Sequence, residues 1–479
     1  MSLKAKAITG LKWTTFSSII VTILQLLQLA ILARFLDASA FGLMALVMVV
    51  IGFSQVFLDM GISNAIIHKQ EITHTQLSTL YWVNILAGLT IFFIVLLIAP
   101  LVSEFYKEPE LTKLIVIVGL TFIIQPFGQQ FMVLWQKEMR FSEIAKIDIV
   151  NKSVSLIVSI YLAYKGYGVY ALAYGTLAGV VSQTIQFMYL GLQEHKPSFV
   201  FKLGDIKEFL NFGLYQMGEK TINYFNYQID TILIGKLLGT EALGIYTIAK
   251  QIIMRPIQVI NPIISKVTFP VMAKIQNNTE KLKDIYLKMI NYLSSINFPI
   301  YVFIFVFAHE IVLVMFGEKW LEAVYIMQIL SIWGALKSTG NPLGSLLLAK
   351  GKANWGFFWN LGLFFYIPTG IYIGSHWGLE GISWALVFLS FPLGMIASWY
   401  FMVRALCGAR FVEYHKEIFI PMIIAVISGL VVFLATYYVE SISFKFVIAT
   451  ITGSMTLIVL NYLLNRKLIN EIKDLRKKI

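Results

Sequence analysis

Two stretches decide how this chain is built: Ala33-Arg34-Phe35-Leu36-Asp37-Ala38-Ser39-Ala40-Phe41-Gly42 and Gly235-Lys236-Leu237-Leu238-Gly239-Thr240-Glu241-Ala242-Leu243-Gly244. They align without a gap, and each links two long apolar runs. A fainter echo pairs Lys165-Gly166-Tyr167-Gly168 with His376-Trp377-Gly378. Connectors that recur in this order imply a duplicated chain, with six apolar runs in each copy and two more appended. The reading predicts an N-terminal six-helix bundle over 1–200, a second over 201–404, and two further spans with a basic tail over 405–479. Six is an even number, so both copies enter a bilayer the same way up. They are then related by a pseudo-two-fold axis along the membrane normal.

The runs between the connectors must be membrane helices. Of the 479 residues, 58% are hydrophobic and 13% charged, with a mean hydropathy of +0.75. A soluble chain carries about a quarter charged residues. Most runs approach the roughly 20 residues that cross a hydrocarbon core, and lipid cannot satisfy an open backbone, so runs of this length are helical. The expected fold is an all-α polytopic membrane protein of about fourteen spans, with twelve as the fallback. Ala38-Ser39-Ala40 mimics a signal-peptidase site, but the run Trp13–Phe35 is too long for a signal peptide's apolar core. The first span is therefore expected to stay attached.

The basic residues orient the chain. With the N-terminus inside, 26 Lys and Arg fall on the inner face and 7 on the outer, the latter being Arg34, Lys107, Lys113, Lys165, Lys236, Lys319 and Lys445. That asymmetry predicts cytoplasmic termini. It also explains the net charge of +12 without nucleic acid, since the bases sit between apolar runs at headgroup depth. Trp135, Trp320, Trp355 and Trp377 fall near span ends, where an interfacial aromatic belt is expected.

Five cations remain inside spans: Lys152, Lys220, Lys250, Arg255 and Lys337. Each would cost roughly 2.5–3.5 kcal/mol if it faced lipid at mid-depth, so they face water, a ligand or counter-charges. Gln216, Glu219, Lys220, Asn223, Asn226, Tyr227 and Asp230 share about a third of the seventh span's circumference at 100° per residue. The first span carries a milder stripe at Thr14, Ser18, Gln25 and Gln28, whose positions map through the repeat onto Gln216, Lys220, Tyr227 and Asp230. The eighth adds Thr247, Lys250, Gln251, Gln258, Asn261 and Ser265, with Arg255 at the edge of that face. Two readings stand. These groups line a hydrated cavity between the bundles and bind an anionic headgroup through charge-assisted bonds, or they pair and lock helices together. On the first reading Lys220, Lys250, Arg255, Lys337, Asn223, Gln251 and Gln258 bind substrate, and Asp59, Glu219 and Asp230 are candidates to couple an ion. Asp148 and Lys152, four apart, suit an intrahelical pair. Pro126, Pro256, Pro262 and Pro342 each remove a helical hydrogen bond, giving either hinges or static kinks.

Catalysis finds little support. The lone Cys407 excludes a disulfide framework and a multi-cysteine metal site. His309 and Glu310 lack a metal-ligand partner at useful spacing, and no phosphate-binding loop or nucleophile elbow occurs. The outer loops, about ten residues or fewer, leave no room for a catalytic module. No cofactor is expected.

The motifs resemble one family. Gly10-Leu11-Lys12-Trp13, Ala33-Arg34-Phe35-Leu36 and Phe41-Gly42 look like the first helix pair of the polysaccharide transporter family, the Wzx-type flippases of the multidrug/oligosaccharidyl-lipid/polysaccharide superfamily. Asp230, Ile234-Gly235 and Leu243-Gly244-Ile245-Tyr246 look like its seventh and eighth helices. Phe269-Pro270, Phe316-Gly317-Glu318-Lys319-Trp320 and Ala349-Lys350-Gly351-Lys352 resemble its later pattern. The likeness covers essentially the whole chain and is greatest to the branch serving exopolysaccharides such as colanic or teichuronic acid. It implies a bacterial inner membrane, an undecaprenyl-diphosphate-linked oligosaccharide as cargo, alternating access, and proton or sodium as a coupling ion. Membrane lipids are its other partners. Glu219 and Asp230 make the stripe less positive than that picture wants. A multidrug-extrusion-type drug/cation antiporter, or a membrane polymerase or ligase acting on the same lipid-linked sugars, are the alternatives.

Overall fold

The computed structural model describes residues 3–58, 63, 66–67, 69, 71–202, 207–340 and 342–469, with side chains described at all of these except 3–8, 11, 207–219 and 267. The chain is all helix in its regular structure, with no strand among the described residues. The helices are α1 Leu3–Phe35, α2 Ala38–Leu58 and α3 His74–Tyr106. Next come α4, a pair Glu110–Ile124 and Pro126–Lys137 bent by 53°, then α5 Phe141–Tyr164 and α6 Tyr170–Glu194. A 68-residue run, Lys207–Lys274, follows. It is helical except at Gly239 (φ 87°, ψ 178°), which divides it into α7, 207–238, and α8, 240–274. Only glycine adopts that backbone conformation without strain. The chain continues with α9 Thr279–Val306, α10 Glu322–Gly340 with its continuation Pro342–Ala349, and α11 Ala353–Ser375. It ends with α12 Gly378–Cys407, α13 Phe411–Thr436 and α14 Ile442–Leu464.

Ten of these helices are long and apolar enough to cross a membrane, and eleven if the bent pair counts as one span. One of the ten, Lys220–Lys274, runs for 55 residues and so contains the break at Gly239. The set is consistent with fourteen spans once that run counts twice and α6 and α10 are added. Their outward faces are apolar: Leu97 and Leu101 in α3 are 72% and 64% exposed. Such surface is stable against lipid, not water. The protein is a multi-pass helical membrane protein.

Local chemistry fixes the helix starts. Thr73 and Gln76 form a capping box on α3, each side chain accepting the other's backbone N–H at 3.2 Å. Two orphan donors are thereby satisfied. Asn278 caps α9 by accepting the N–H of Lys281 at 3.0 Å. The bend in α4 falls at Pro126, which has no N–H to continue the ladder. α12 widens into π-helical turns at Phe391–Ala397 and Trp399–Val403.

By contact the chain divides into two compact units, Met1–Thr247 and Ile248–Ile479. In the first, α5 packs between α1 and α6, around a core that includes Tyr81, Phe131, Trp135, Ile144 and Phe187. In the second, α9 packs against α10 and α13, and α10 against α12. Met272, Tyr286, Leu293, Leu346, Met402 and Ile418 are buried there. The expected tryptophan belt holds only in part. Trp135 and Trp320 stand at helix ends but are 2% exposed, whereas Trp377 is 71% exposed. Trp135 turns inward because its indole N–H donates to Glu194 at 3.1 Å and Arg140 lies 4.3 Å over its ring.

Candidate transport site

The side chains of Gln216 and Glu219, at the start of the α7 stripe, lie outside the described residues, and so does Asp59, which belongs to another part of the chain. From Lys220 onward the stripe divides. Lys220, Asn223 and Tyr227 are exposed. Asp230, one turn further, is buried at 5%. Its Oδ2 accepts the hydroxyl of the fully buried Tyr246 at 2.5 Å, and its Oδ1 accepts the Thr231 N–H at 2.7 Å. The Tyr246 bond ties α7 to the start of α8 across the Gly239 turn. The repeat-equivalent position in α1, Gln28, is likewise engaged, donating to Ser159 Oγ at 2.8 Å. The ends of both stripes nearest the two connectors are therefore joints between helices.

The two connectors quoted at the outset meet. A Cβ on Gly42 would overlap the carbonyl oxygen of Thr240, and a Cβ on Gly244 would overlap that of Ala38. Gly42 corresponds to Gly244 in the repeat, and Ala38 to Thr240. Each copy thus offers its glycine to the same carbonyl of the other, the reciprocity a two-fold axis produces. Ser39 and Thr240 hydroxyls lie 3.0 Å apart, and Thr240 also donates to Glu108 at 2.9 Å. Alongside, α7 lies on α2: Tyr224 donates to the Val49 carbonyl at 2.8 Å, and Phe53 and Phe225 rings are 5.0 Å apart.

In the second unit the candidates on α8 grade from buried Lys250, through half-buried Gln251 and Arg255, to exposed Gln258. Lys337 of α10 is half-buried and holds its ammonium 4.3 Å from the Trp333 ring centre, a cation–π arrangement. Two packing facts bring α8 and α10 together. Asn261 donates to the carbonyl of Ser338 at 3.1 Å. A Cβ on Gly334 would lie 2.6 Å from Ile253, so the bare glycine lets α10 approach. Arg255, Gln258 and Lys337 consequently sit within two turns of one inter-helix bond. Lys220 and Asn223 belong to the other unit. Asp148, expected beside Lys152, accepts from Gln183 of α6 at 3.1 Å.

Sequence reasoning missed Asn297, Ser294 and Ser338. All three are fully buried with Asn261, and Asn297 donates to Asn261 Oδ1 at 3.1 Å. A signal existed: Asn297 stands in an apolar run two residues before Pro299, where an amide needs a reason. Among the described residues no group of three His, Cys, Asp or Glu could hold a metal ion.

A helical membrane protein whose spans carry cations, and whose duplicated hairpins cross, has the build of a multi-span transporter. Its fold is shared with a structure titled "Lipid II flippase MurJ, inward closed conformation", with a TM-score of 0.77 over 96% of this chain and 100% of that one, at 14% identity. Sequence then gives the family: residues 31–325 match the profile of the polysaccharide biosynthesis protein family, and the chain belongs to it. It is 32% identical to the lipopolysaccharide biosynthesis protein WzxC of Escherichia coli K12, over 88% of this chain and 86% of that protein. It is also 32% identical to the teichuronic acid biosynthesis protein TuaB of Bacillus subtilis 168, over 93% of this chain and 92% of that protein.

Proposed function

We propose that the protein flips an undecaprenyl-diphosphate-linked oligosaccharide from the cytoplasmic to the outer leaflet of a bacterial inner membrane, for polysaccharide export by alternating access. It is a transporter, not an enzyme, and both termini are cytoplasmic. The observation that carries the reading is the placement of Lys220, Lys250 and Arg255 on polar faces of the broken run Lys220–Lys274, which is otherwise apolar enough to span a membrane. Cations are retained at such depth where an anionic group or water meets them. A diphosphate accepts several charge-assisted bonds from Lys and Arg, and Asn223, Gln251 and Gln258 suit sugar hydroxyls. Family membership along most of the chain and the fold shared with a lipid II flippase support the same cargo class.

Export decides the matter. In a host lacking its own exporter, the wild-type chain should restore surface polymer. The triple variant Lys250→Ala, Arg255→Ala, Lys337→Ala should fail to do so at an unchanged membrane level, with lipid-linked precursor accumulating in the inner leaflet. Normal export by the triple variant would remove the cationic site from the mechanism. Orientation is checked separately by reporters fused after Leu464, which should be active only in the cytoplasm.

A further inference from the structure

Between the end of α6 at Glu194 and the start of α7, residues 195–202 are laid along α3. Four bonds hold their backbone there. A carbonyl only accepts, so the His74 ring donates from Nε2 to the Lys196 carbonyl, at 3.0 Å. The Ser198 N–H donates to Ser78 Oγ at 3.0 Å, and the Lys202 N–H to Thr79 Oγ1 at 3.2 Å. The Trp82 indole N–H donates to the Ser198 carbonyl at 3.0 Å. That carbonyl also accepts the Val200 N–H at 2.8 Å, which closes a three-residue turn with Phe199 at its apex. The turn pushes Phe199 outward: it is 91% exposed, with its ring stacked 4.9 Å from that of Trp82. Phe201 is 51% exposed, and the flanking Lys196 and Lys202 are exposed as well.

Trp82 shows which way this turn faces. At about 100° per residue, Leu86, Phe93 and Leu97 lie within about 60° of Trp82 around α3, and they are 51%, 59% and 72% exposed. That is the apolar side which α3 turns to lipid, so Phe199 stands on the lipid side too. Its depth follows from the sequence. The stretch 85–102 of α3, between Asn84 and Ser103, has no charged or amide side chain. At 1.5 Å per residue it is about 27 Å long, which matches the roughly 30 Å of a hydrocarbon core. Trp82 precedes it by about 4 Å along the helix, at the headgroup level where tryptophan is enriched. A phenylalanine fixed outward in water would forgo its transfer from water; at this level lipid receives it. The acid beside Lys196, Glu194, is taken by Arg140 at 2.6 Å. We infer that the linker between α6 and α7 is an interfacial anchor for anionic phospholipid, with Phe199 and Phe201 entering the upper acyl region and Lys196 and Lys202 meeting headgroup phosphates. Apolar and basic signals together are what attachment to an anionic interface requires. Such an anchor needs only the membrane-spanning fold, whatever the cargo.

The test uses the full chain in vesicles of equal phosphatidylglycerol and phosphatidylcholine, with a photoreactive phenylalanine analogue in place of Phe199 or, for reference, of Leu97. Both positions should give lipid adducts by mass spectrometry. Phosphatidylglycerol should be favoured about five-fold or more at 199, since each lysine at an anionic surface strengthens association by about that factor, and should show no preference at 97. Lys196→Gln with Lys202→Gln should bring the ratio at 199 close to that at 97, and raised salt should do the same with both lysines in place. Lipid adducts at 97 with none at 199 would overturn the inference. So would adducts to protein at 199, which would make the turn a protein-docking site, or a phosphatidylglycerol preference that survives loss of both lysines. Lipid at neither position would remove the lipid-facing side of α3 on which the anchor depends.

Discussion

The two helix junctions of this protein are built by opposite means. In the first unit, α2 and the α7–α8 hairpin meet through Gly42 and Gly244, and backbone lies directly on backbone. Polar groups there are matched: Asp230 by Tyr246 and Thr231, Thr240 by Ser39 and Glu108. In the second unit, α8, α9 and α10 meet through asparagines and a serine, and two oxygens have no hydrogen-bond partner among the described residues. The difference follows from the residue type that each junction is built on. Glycine removes a side chain and lets helices touch; proline removes a donor and leaves a carbonyl that a polar side chain must answer. A junction of the first kind is closed by shape, whereas one of the second kind keeps polar groups in reserve.

The comparison breaks most sharply at the glycines. Gly42→Val and Gly244→Val should each destabilise by about 3 kcal/mol or more, because backbone carbonyls cannot swing aside as side-chain ends do. Gly362→Ala in α11, where nothing lies within 4 Å of the added Cβ, should be neutral or gain up to about 1 kcal/mol of helix propensity. Equilibrium unfolding in mixed micelles separates these cases. Similar losses at Gly42 and Gly362 would mean that close approach is not what the connector glycines provide.

At the second junction, Asn261→Leu should cost about 2–3 kcal/mol by stranding the Ser338 carbonyl and the Asn297 amide. In a Pro342→Ala background, residue 342 regains an N–H for Ser338, and the same change should cost about 1 kcal/mol less. Strict additivity in that double-mutant cycle would deny that Asn261 stands in for the missing helical donor.

A smaller effect sharpens the first junction. Tyr246→Phe removes the hydroxyl from Asp230 and should lower stability by about 1–2 kcal/mol, without abolishing polymer export. If export disappeared while the fold and membrane level held, Asp230 would belong to the transport step and not to the hairpin.

Much of this was legible before any coordinates. Hydropathy alone determined that the chain is a multi-pass helical membrane protein, because a bilayer accepts only backbones that satisfy themselves. The gapless match of Ala33–Gly42 with Gly235–Gly244 located both hairpins, and the second does turn at Gly239. Helical periodicity put Lys220, Asn223, Tyr227 and Asp230 on one face, since 3.6 residues per turn is a local property.

Periodicity names a face and not a partner, and there tertiary structure decided. It set Asp230 against Tyr246, seated Trp135 inside the protein, and joined Asn261 to Asn297 and Ser338. Each of these contacts joins residues far enough apart in sequence that no local rule relates them. Their outcome depends on which helices pack, and at what depth. The crossing of Gly42 with Thr240 and of Gly244 with Ala38 belongs to both levels. The repeat implied that the two contacts would be alike, but only the folded chain brought them together.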